Sequence, residues 1–280
     1  MNWKNSSWIG FLLLIQTGCD AQTIQTSNET KTTGGNLESN NVVFIDSTFK
    51  TIHVFVALCD NKYQGIVPVP AKIGNGQDPD NNLYWGCAFG IKTFFSKSAE
   101  WKKVKIQKID SVLLERIIFK HVSKNWYLIA DAYNGKNIEK CTVDFMESSA
   151  GLRKDTLHLK NQIIGTYGNA SLLTYIGHDG LMDFQLSESF VNKDSIQRNC
   201  IALACYSKSY FAPHLKNAHI IPLVWTTGLM CPEAYTLHDA ISAFLSNKSD
   251  EEIRNAAALA YSKYQKCSLK AAKGLLVKGW

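Results

Sequence analysis

Several patterns that identify common enzyme and binding classes are missing from this chain of 280 residues. It has no G-x-S-x-G elbow, no H-E-x-x-H pair and no Walker sequence, which excludes the commonest serine hydrolases, zinc peptidases and P-loop enzymes. Its 30 basic residues form no long block, and no two cysteines stand at C-x-x-C spacing. The sequence therefore predicts no metal, no cofactor and no nucleic-acid partner.

The chain also lacks an apolar run of the roughly 20 residues needed to span a bilayer. A shorter run at residues 8–15 follows Lys4 and precedes Thr17-Gly18-Cys19, which is the layout of a bacterial export signal. This N-terminus resembles a lipoprotein signal, and the resemblance implies that Cys19 is acylated after cleavage. Ordinary secretion, with Cys19 incidental, is the alternative. We predict a signal peptide with its lipidation site over residues 1–19.

Large apolar side chains are almost absent from residues 20–41, which are rich in Thr, Asn, Gln, Ser and Gly. Such a segment cannot bury enough apolar surface to fold, so it predicts a flexible tether. A tether suits a domain held at a membrane by lipid. We therefore expect a protein of the bacterial cell envelope, periplasmic or on the outer surface, with a single folded domain over residues 42–280.

Eight cysteines are present, and seven remain if Cys19 is lipidated. An odd remainder in an exported protein predicts at least one free thiol. The alternative is that several of them are buried as small hydrophobic residues.

Apolar periodicity divides the rest of the chain into alternating elements. Strands are predicted at residues 42–45, 51–59, 126–130, 172–178, 200–205 and 218–225, with a further strand at either 104–109 or 116–121. Helices are predicted at residues 83–95, 138–150 and 188–198 and in the tail, where Ser249 and Glu252 have the spacing of a capping box. A loop rich in Gly, Pro, Asn and Asp covers residues 63–82, and loops of this length are often functional. The alternation predicts an α/β fold with a doubly wound, mostly parallel sheet and helices on both faces.

Two of the predicted strands end in reactive side chains. His178 follows one apolar run and Cys205 ends another. In open parallel sheets the ligand site lies beyond the carboxyl ends of the strands, so neighbouring strands would bring an imidazole and a thiol together. A cysteine nucleophile and its general base require this arrangement, and an adjacent imidazolium would depress the pKa of the thiol. Backbone amides near Gly180 or Cys205 could form an oxyanion hole.

The segments 174–180 and 202–205 resemble the caspase-like cysteine peptidases, whose pattern is a strand ending in His-Gly and a later strand ending in Ala-Cys or Asp-Cys. The resemblance implies a peptidase with Cys205 as nucleophile and His178 as base. It also implies that the strand ending at Thr226 and Thr227 lines the substrate cleft.

Three acidic residues, Asp60, Asp131 and Glu233, stand at or just after predicted strand ends. They could line a cleft that accepts a basic group, or one of them could orient His178. Solvated loop carboxylates are the alternative.

Two functions follow from these observations. The first is an exported, membrane-anchored cysteine hydrolase that cuts a peptide or protein substrate. The second is a non-catalytic envelope lipoprotein that uses the same scaffold to bind a peptide or protein partner, with the loop at residues 60–82 as its contact surface.

Overall fold

The computed structural model describes residues 44–280, which form one compact unit. The predicted signal peptide, Cys19 and the predicted tether lie outside the described residues. The strand expected at residues 42–45 is partly described, and Phe44 and Ile45 have no regular structure, so that part of the prediction is wrong.

A mixed, mostly parallel sheet of eight strands forms the centre of the unit. Its strands are β1 (Lys50–Ala57), β2 (Trp101–Lys108), β3 (Leu113–His121), β4 (Trp126–Tyr133), β7 (Leu172–Gly177), β8 (Arg198–Leu203), β9 (Ile220–Thr226) and β10 (Leu276–Val277). Their order is β10-β9-β8-β7-β1-β4-β3-β2. The central run from β9 to β4 is parallel, while β10, β3 and β2 are antiparallel to their neighbours. Strands β5 (Lys154–Leu159) and β6 (Gln162–Tyr167) pair separately as an antiparallel hairpin.

Helices pack against both sides of the sheet. They are α1 (Ile91–Lys97), α2 (Ile138–Ser149), α3 (Ser207–Leu215), α4 (Ala234–Leu245), α5 (Asp250–Gln265) and α6 (Leu269–Leu275). Successive side chains of a strand point to opposite faces, so β1 contributes to two apolar layers. Val54 and Val56 belong to the layer that includes α4 and α5, whereas Phe55 and Ala57 belong to the layer that includes α2 and α3. Burial on both sides explains why residues 54–57 of β1 are all apolar.

The helix predicted at residues 188–198 is wrong, because this segment is irregular and Arg198 already begins β8. Polar side chains of this segment form hydrogen bonds with nearby backbone amides, which are then not available for the hydrogen bonds of a helix. The Asn192 side chain accepts hydrogen bonds from the amides of Asp194 and Ser195, and Asp194 pairs with Arg198. Such local bonds compete with a helix.

The helix predicted at residues 83–95 begins only at Ile91. The preceding residues form turns around Asn82, whose side-chain oxygen accepts bonds from the amides of Cys59 and Tyr84. Residues 104–109 and 116–121, which sequence reasoning treated as alternatives, both contribute to strands, β2 and β3. The capping box at Ser249 and Glu252 is confirmed at the start of α5.

Parallel strands are added to the sheet on opposite sides of β1: β4 lies on one side of it and β7 on the other. The order in which the chain adds strands therefore reverses at β1. Such a switch point is where ligands bind in open α/β sheets. The pairing of Ile176 with Leu203 offsets β7 and β8 by 27 residues, which is also the separation of His178 from Cys205. These two residues therefore leave adjacent parallel strands at the same level.

Across residues 44–280, no helix has the length and apolar character needed to cross a membrane.

Candidate functional site

A cavity of about 380 Å³ lies at the carboxyl ends of β1, β7 and β8. Cys59 follows β1, Gly177 ends β7, His178 follows β7 and Cys205 follows β8. All four residues line this cavity. The structure thus brings the predicted imidazole and thiol to one concave surface, beside the switch point of the sheet.

His178 is held by an acidic partner that sequence reasoning did not identify. Its Nε2 lies 2.7 Å from Asp183 Oδ2, and the other oxygen of Asp183 accepts a bond of 3.0 Å from the Gly65 amide. Burial lowers the pKa of the His178 imidazole, while the bond to Asp183 acts to raise it. The ring is therefore neutral at neutral pH, and Nδ1 is its remaining nitrogen for accepting a proton.

Asp183 left only a weak signal in the sequence, as a carboxylate five residues beyond His178. The chain turns back between them through a 3₁₀ helix, Gly180–Met182, and this turn brings the carboxylate to the ring. That reversal depends on the tertiary fold, because the sequence does not show which way the chain leaves β7.

Cys205 is half-buried against the backbone of Met230. Its sulfur accepts a bond of 3.4 Å from the Met230 amide, and the thiol donates to the Met230 carbonyl over 3.6 Å. Burial raises the pKa of Cys205, the Met230 amide opposes this, and the charge of Asp179 adds to it. The thiol therefore keeps its proton at neutral pH, in contrast to the depressed pKa expected beside an imidazolium.

The turn after Cys205 leaves one backbone donor without an acceptor. Tyr206 adopts a left-handed conformation with φ 51°, and α3 starts at the next residue. Tyr206 and Ser207 amides bond to Gly228 O and Thr226 Oγ1. Among residues 44–280 the Cys205 amide has no hydrogen-bond acceptor. A free backbone amide next to a thiol is the type of donor that can receive an oxyanion.

The predicted cleft residues Thr226 and Thr227 have other roles. Thr226 is buried, and its hydroxyl donates to the Ala204 carbonyl while accepting from the Ser207 amide, so it fixes the turn that carries Cys205. The Thr227 hydroxyl donates to the Gly274 carbonyl on α6 at 2.9 Å. Neither residue lines the cavity.

Gly180, the predicted oxyanion residue, is buried away from the cavity. A Cβ at Gly180 would lie 2.7 Å from Phe184 and 2.9 Å from Thr142. Gly177 lines the cavity instead. Its φ is +132°, and a Cβ there would lie 2.1 Å from the Ala57 carbonyl oxygen, so β7 can end beside β1 in this way only with glycine.

Two of the three predicted acids are engaged elsewhere. Asp60 accepts bonds from the amides of Lys62 and Tyr63 and from the Gln77 side chain, within its own loop. Asp131 lies on β4, between His53 and Arg116. Although burial acts to raise its pKa, these two partners lower the pKa of Asp131 to about 2. Neither acid lines the cavity.

Glu233 is the predicted acid that does line the cavity. Its Oε2 accepts a bond of 2.8 Å from the Tyr235 hydroxyl and one of 3.2 Å from the Gln265 amide group. Burial raises the pKa of Glu233, opposed by the Tyr235 bond.

Asp179, directly after His178, is a buried carboxyl with one satisfied oxygen. Oδ1 accepts a bond of 3.0 Å from the Leu181 amide, while Oδ2 has no partner among the described residues. Burial raises the pKa of Asp179 to about 7, against the effect of the Leu181 bond.

Neither metal nor disulfide chemistry has a geometric basis in residues 44–280. No group of three or more His, Cys, Asp or Glu side chains there could hold a metal ion, and all seven cysteines are free.

Comparisons with protein-family models, curated proteins and solved structures found no match.

Proposed function

We propose that this chain is an exported, membrane-anchored cysteine hydrolase, a peptidase that uses Cys205 as nucleophile and His178 as base. One observation carries the proposal. His178 and Cys205 leave adjacent parallel strands at the same level and line the same cavity. The doubly wound, caspase-like arrangement is part of the proposal, and the mixed, mostly parallel sheet with helices packed against it supports it.

The proposed reaction starts from a neutral pair. His178 takes the thiol proton as the sulfur attacks the scissile carbonyl, and the developing oxyanion is received by the free Cys205 amide. The carbon–nitrogen bond then breaks, and the imidazolium returns the proton to the leaving amine. Water, deprotonated by the same imidazole, hydrolyses the thioester and regenerates the thiol.

Asp183 supports this cycle by holding the imidazole. Its hydrogen bond to Nε2 leaves Nδ1 to accept the proton, and its charge stabilises the imidazolium that forms. The bond from the Gly65 amide fixes the carboxylate in turn, so the loop after β1 takes part in positioning the base.

The second function, a non-catalytic module that binds a peptide, is favoured by one observation. Burial keeps the Cys205 thiol protonated, against the effect of the Met230 amide, as in a structural cysteine. The two functions differ in whether His178 activates the sulfur.

Labelling of Cys205 tests the proposal. The full chain in detergent would be treated at pH 7 with a fluorescent peptidyl acyloxymethyl ketone, and the modified cysteine located by peptide mass analysis. The sulfur displaces the carboxylate leaving group and forms a thioether. We expect labelling at Cys205, none in Cys205→Ala, and at least a tenfold slower reaction in His178→Ala, since general-base catalysis contributes about 10²–10⁴-fold. Asp183→Asn should slow it by less than His178→Ala.

Two controls separate activation from loss of fold. His158→Ala replaces an exposed histidine on β5 and should leave labelling unchanged. Exposed Cys231, which lines the same cavity, should react with iodoacetamide at one rate in all variants. Equal Cys205 labelling with and without His178 would show that the imidazole does not activate the thiol, and the binding function would then stand.

A further inference from the structure

We infer that the cavity beside Cys205 receives a large apolar side chain of the substrate, next to the bond that is cut. This inference rests on the proposed function and adds the class of substrate to it.

The walls of the cavity are mostly apolar. The loop after β1 contributes Ile66 and Val67, and the segment after β9 contributes Leu229 and Met230. The volume of about 380 Å³ lies near the lower end of the range for ligand pockets, which suits one or two side chains of an extended peptide.

Three apolar side chains at the cavity are strongly exposed. Val67 is 87% exposed, Leu229 is 66% exposed and Met182 is 40% exposed. They come from three different segments of the chain yet surround one opening. Apolar side chains that converge in this way mark a binding surface, unlike exposed ones scattered singly.

The charges at the cavity do not favour a charged substrate residue. No lysine or arginine from the described part of the chain lines it, so an acidic side chain would find no permanent cation and would approach Glu233. The Glu233 carboxylate is already bonded to Tyr235 and Gln265, so a basic side chain would be desolvated beside a partner engaged elsewhere. Asp60 and Asp131, which sequence reasoning placed in an acidic cleft, are bonded outside the cavity.

The test uses three acyloxymethyl ketone probes that differ only in the residue beside the reactive ketone, which is Leu, Lys or Asp. On the full chain in detergent we expect the Leu probe to label Cys205 at least about tenfold faster than either charged probe, because apolar pockets discriminate on this scale. Faster labelling by the Lys or the Asp probe would overturn the apolar assignment while leaving a His178-dependent peptidase in place. If no probe labels Cys205, the proposed function fails, and the inference fails with it.

A matched pair of substitutions tests whether the cavity itself selects the probe. Leu229→Asp places a charge at the opening, at a position exposed enough to tolerate it, and should slow the Leu probe by about tenfold. Leu259→Asp makes the same change at a leucine on α5 that is 56% exposed and does not line the cavity, and should leave the rate unchanged. Equal slowing in both variants would contradict the inference, and thermal unfolding of each variant would confirm that the fold is retained. Glu233→Gln should leave the ratio of the Leu-probe rate to the Lys-probe rate unaltered. If the Lys probe instead labels the parent faster and no longer labels Glu233→Gln, Glu233 is assigned as a cation site.

Discussion

Asp179 shows how one buried carboxyl links the site to pH. Its pKa is about 7 in the folded chain against 3.8 for the ordinary carboxyl. Below pH 3.8 both states of the chain hold the proton. Between pH 3.8 and 7 the unfolded chain releases the proton while the folded chain keeps it, so the unfolded state binds fewer protons and stability falls as the pH rises. Above pH 7 the carboxyl is ionised in both states, and its burial then lowers the free energy of unfolding by the full amount, about 4 kcal/mol.

Replacing Asp179 by Asn should therefore stabilise the fold at pH 8 by a few kcal/mol, since an amide carries no charge and its oxygen can still accept the Leu181 bond. The measurement is urea unfolding from pH 4 to pH 8, with the difference between variant and parent growing across that window. Asp155→Asn, at an exposed carboxyl on β5, serves as control. A difference that is flat with pH would show that Asp179 does not titrate in this window.

His178 and Cys205 show what residue type alone does and does not determine. Their chemistry and their position after apolar runs could be read from the sequence. Their pKa values could not, because each depends on burial and on neighbours distant along the chain, such as Met230 for the thiol. Asp183 was missed for the same reason.

At the scale of elements, the end of β7 is the feature that places the base. Gly177 pairs with Ala57 of β1, and it turns the chain with a positive φ so that His178 follows at the cavity.

Gly177→Ala should lower the free energy of unfolding by about 2 kcal/mol or more, because a side chain at this φ is strained and its Cβ would meet the Ala57 carbonyl. Labelling of Cys205 should also fall, since His178 would shift with the strand end. Gly274→Ala on α6 is the matched control: nothing lies within 4 Å of its added Cβ, and the change should be neutral or stabilise by up to about 1 kcal/mol. Denaturant unfolding of the two variants measures the contrast, and equal stabilities would refute the role given to Gly177.

Elements with strong local signals could be predicted, and those without them could not. Strand β1 follows from the apolar run at residues 54–59, and the capped helix α5 follows from a capping box. The β5–β6 hairpin and α3 were not predicted. Helix α3 is short and contains Pro213, so its sequence has little helical character of its own, and it forms against β8 and β9.

At the scale of the whole molecule, the proposed anchor connects the folded unit to a membrane. The residues that would form it lie outside the described part of the chain, so the proposal depends on the resemblance of residues 1–19 to a lipoprotein signal.

Cys19→Ala should move the protein from the membrane fraction to the soluble fraction, because an acyl chain contributes about 0.8 kcal/mol for each buried methylene and the substitution removes it. Fractionation followed by immunodetection measures this, and Cys231→Ala controls for loss of a thiol in general. A protein that stays with the membrane after the Cys19 change would exclude the lipid anchor.

The sequence by itself determined the α/β class, most of the central strands and the positions of an imidazole and a thiol at strand ends, because these depend on local apolar runs and on residue chemistry. Tertiary structure decided the order β4-β1-β7-β8, the register that sets His178 level with Cys205 and the identity of Asp183 as the partner of His178. It also decided that Asp60 and Asp131 stay out of the cavity. These features arise from contacts between residues far apart in the chain, and local pattern does not encode which strands become neighbours or which carboxylates find partners.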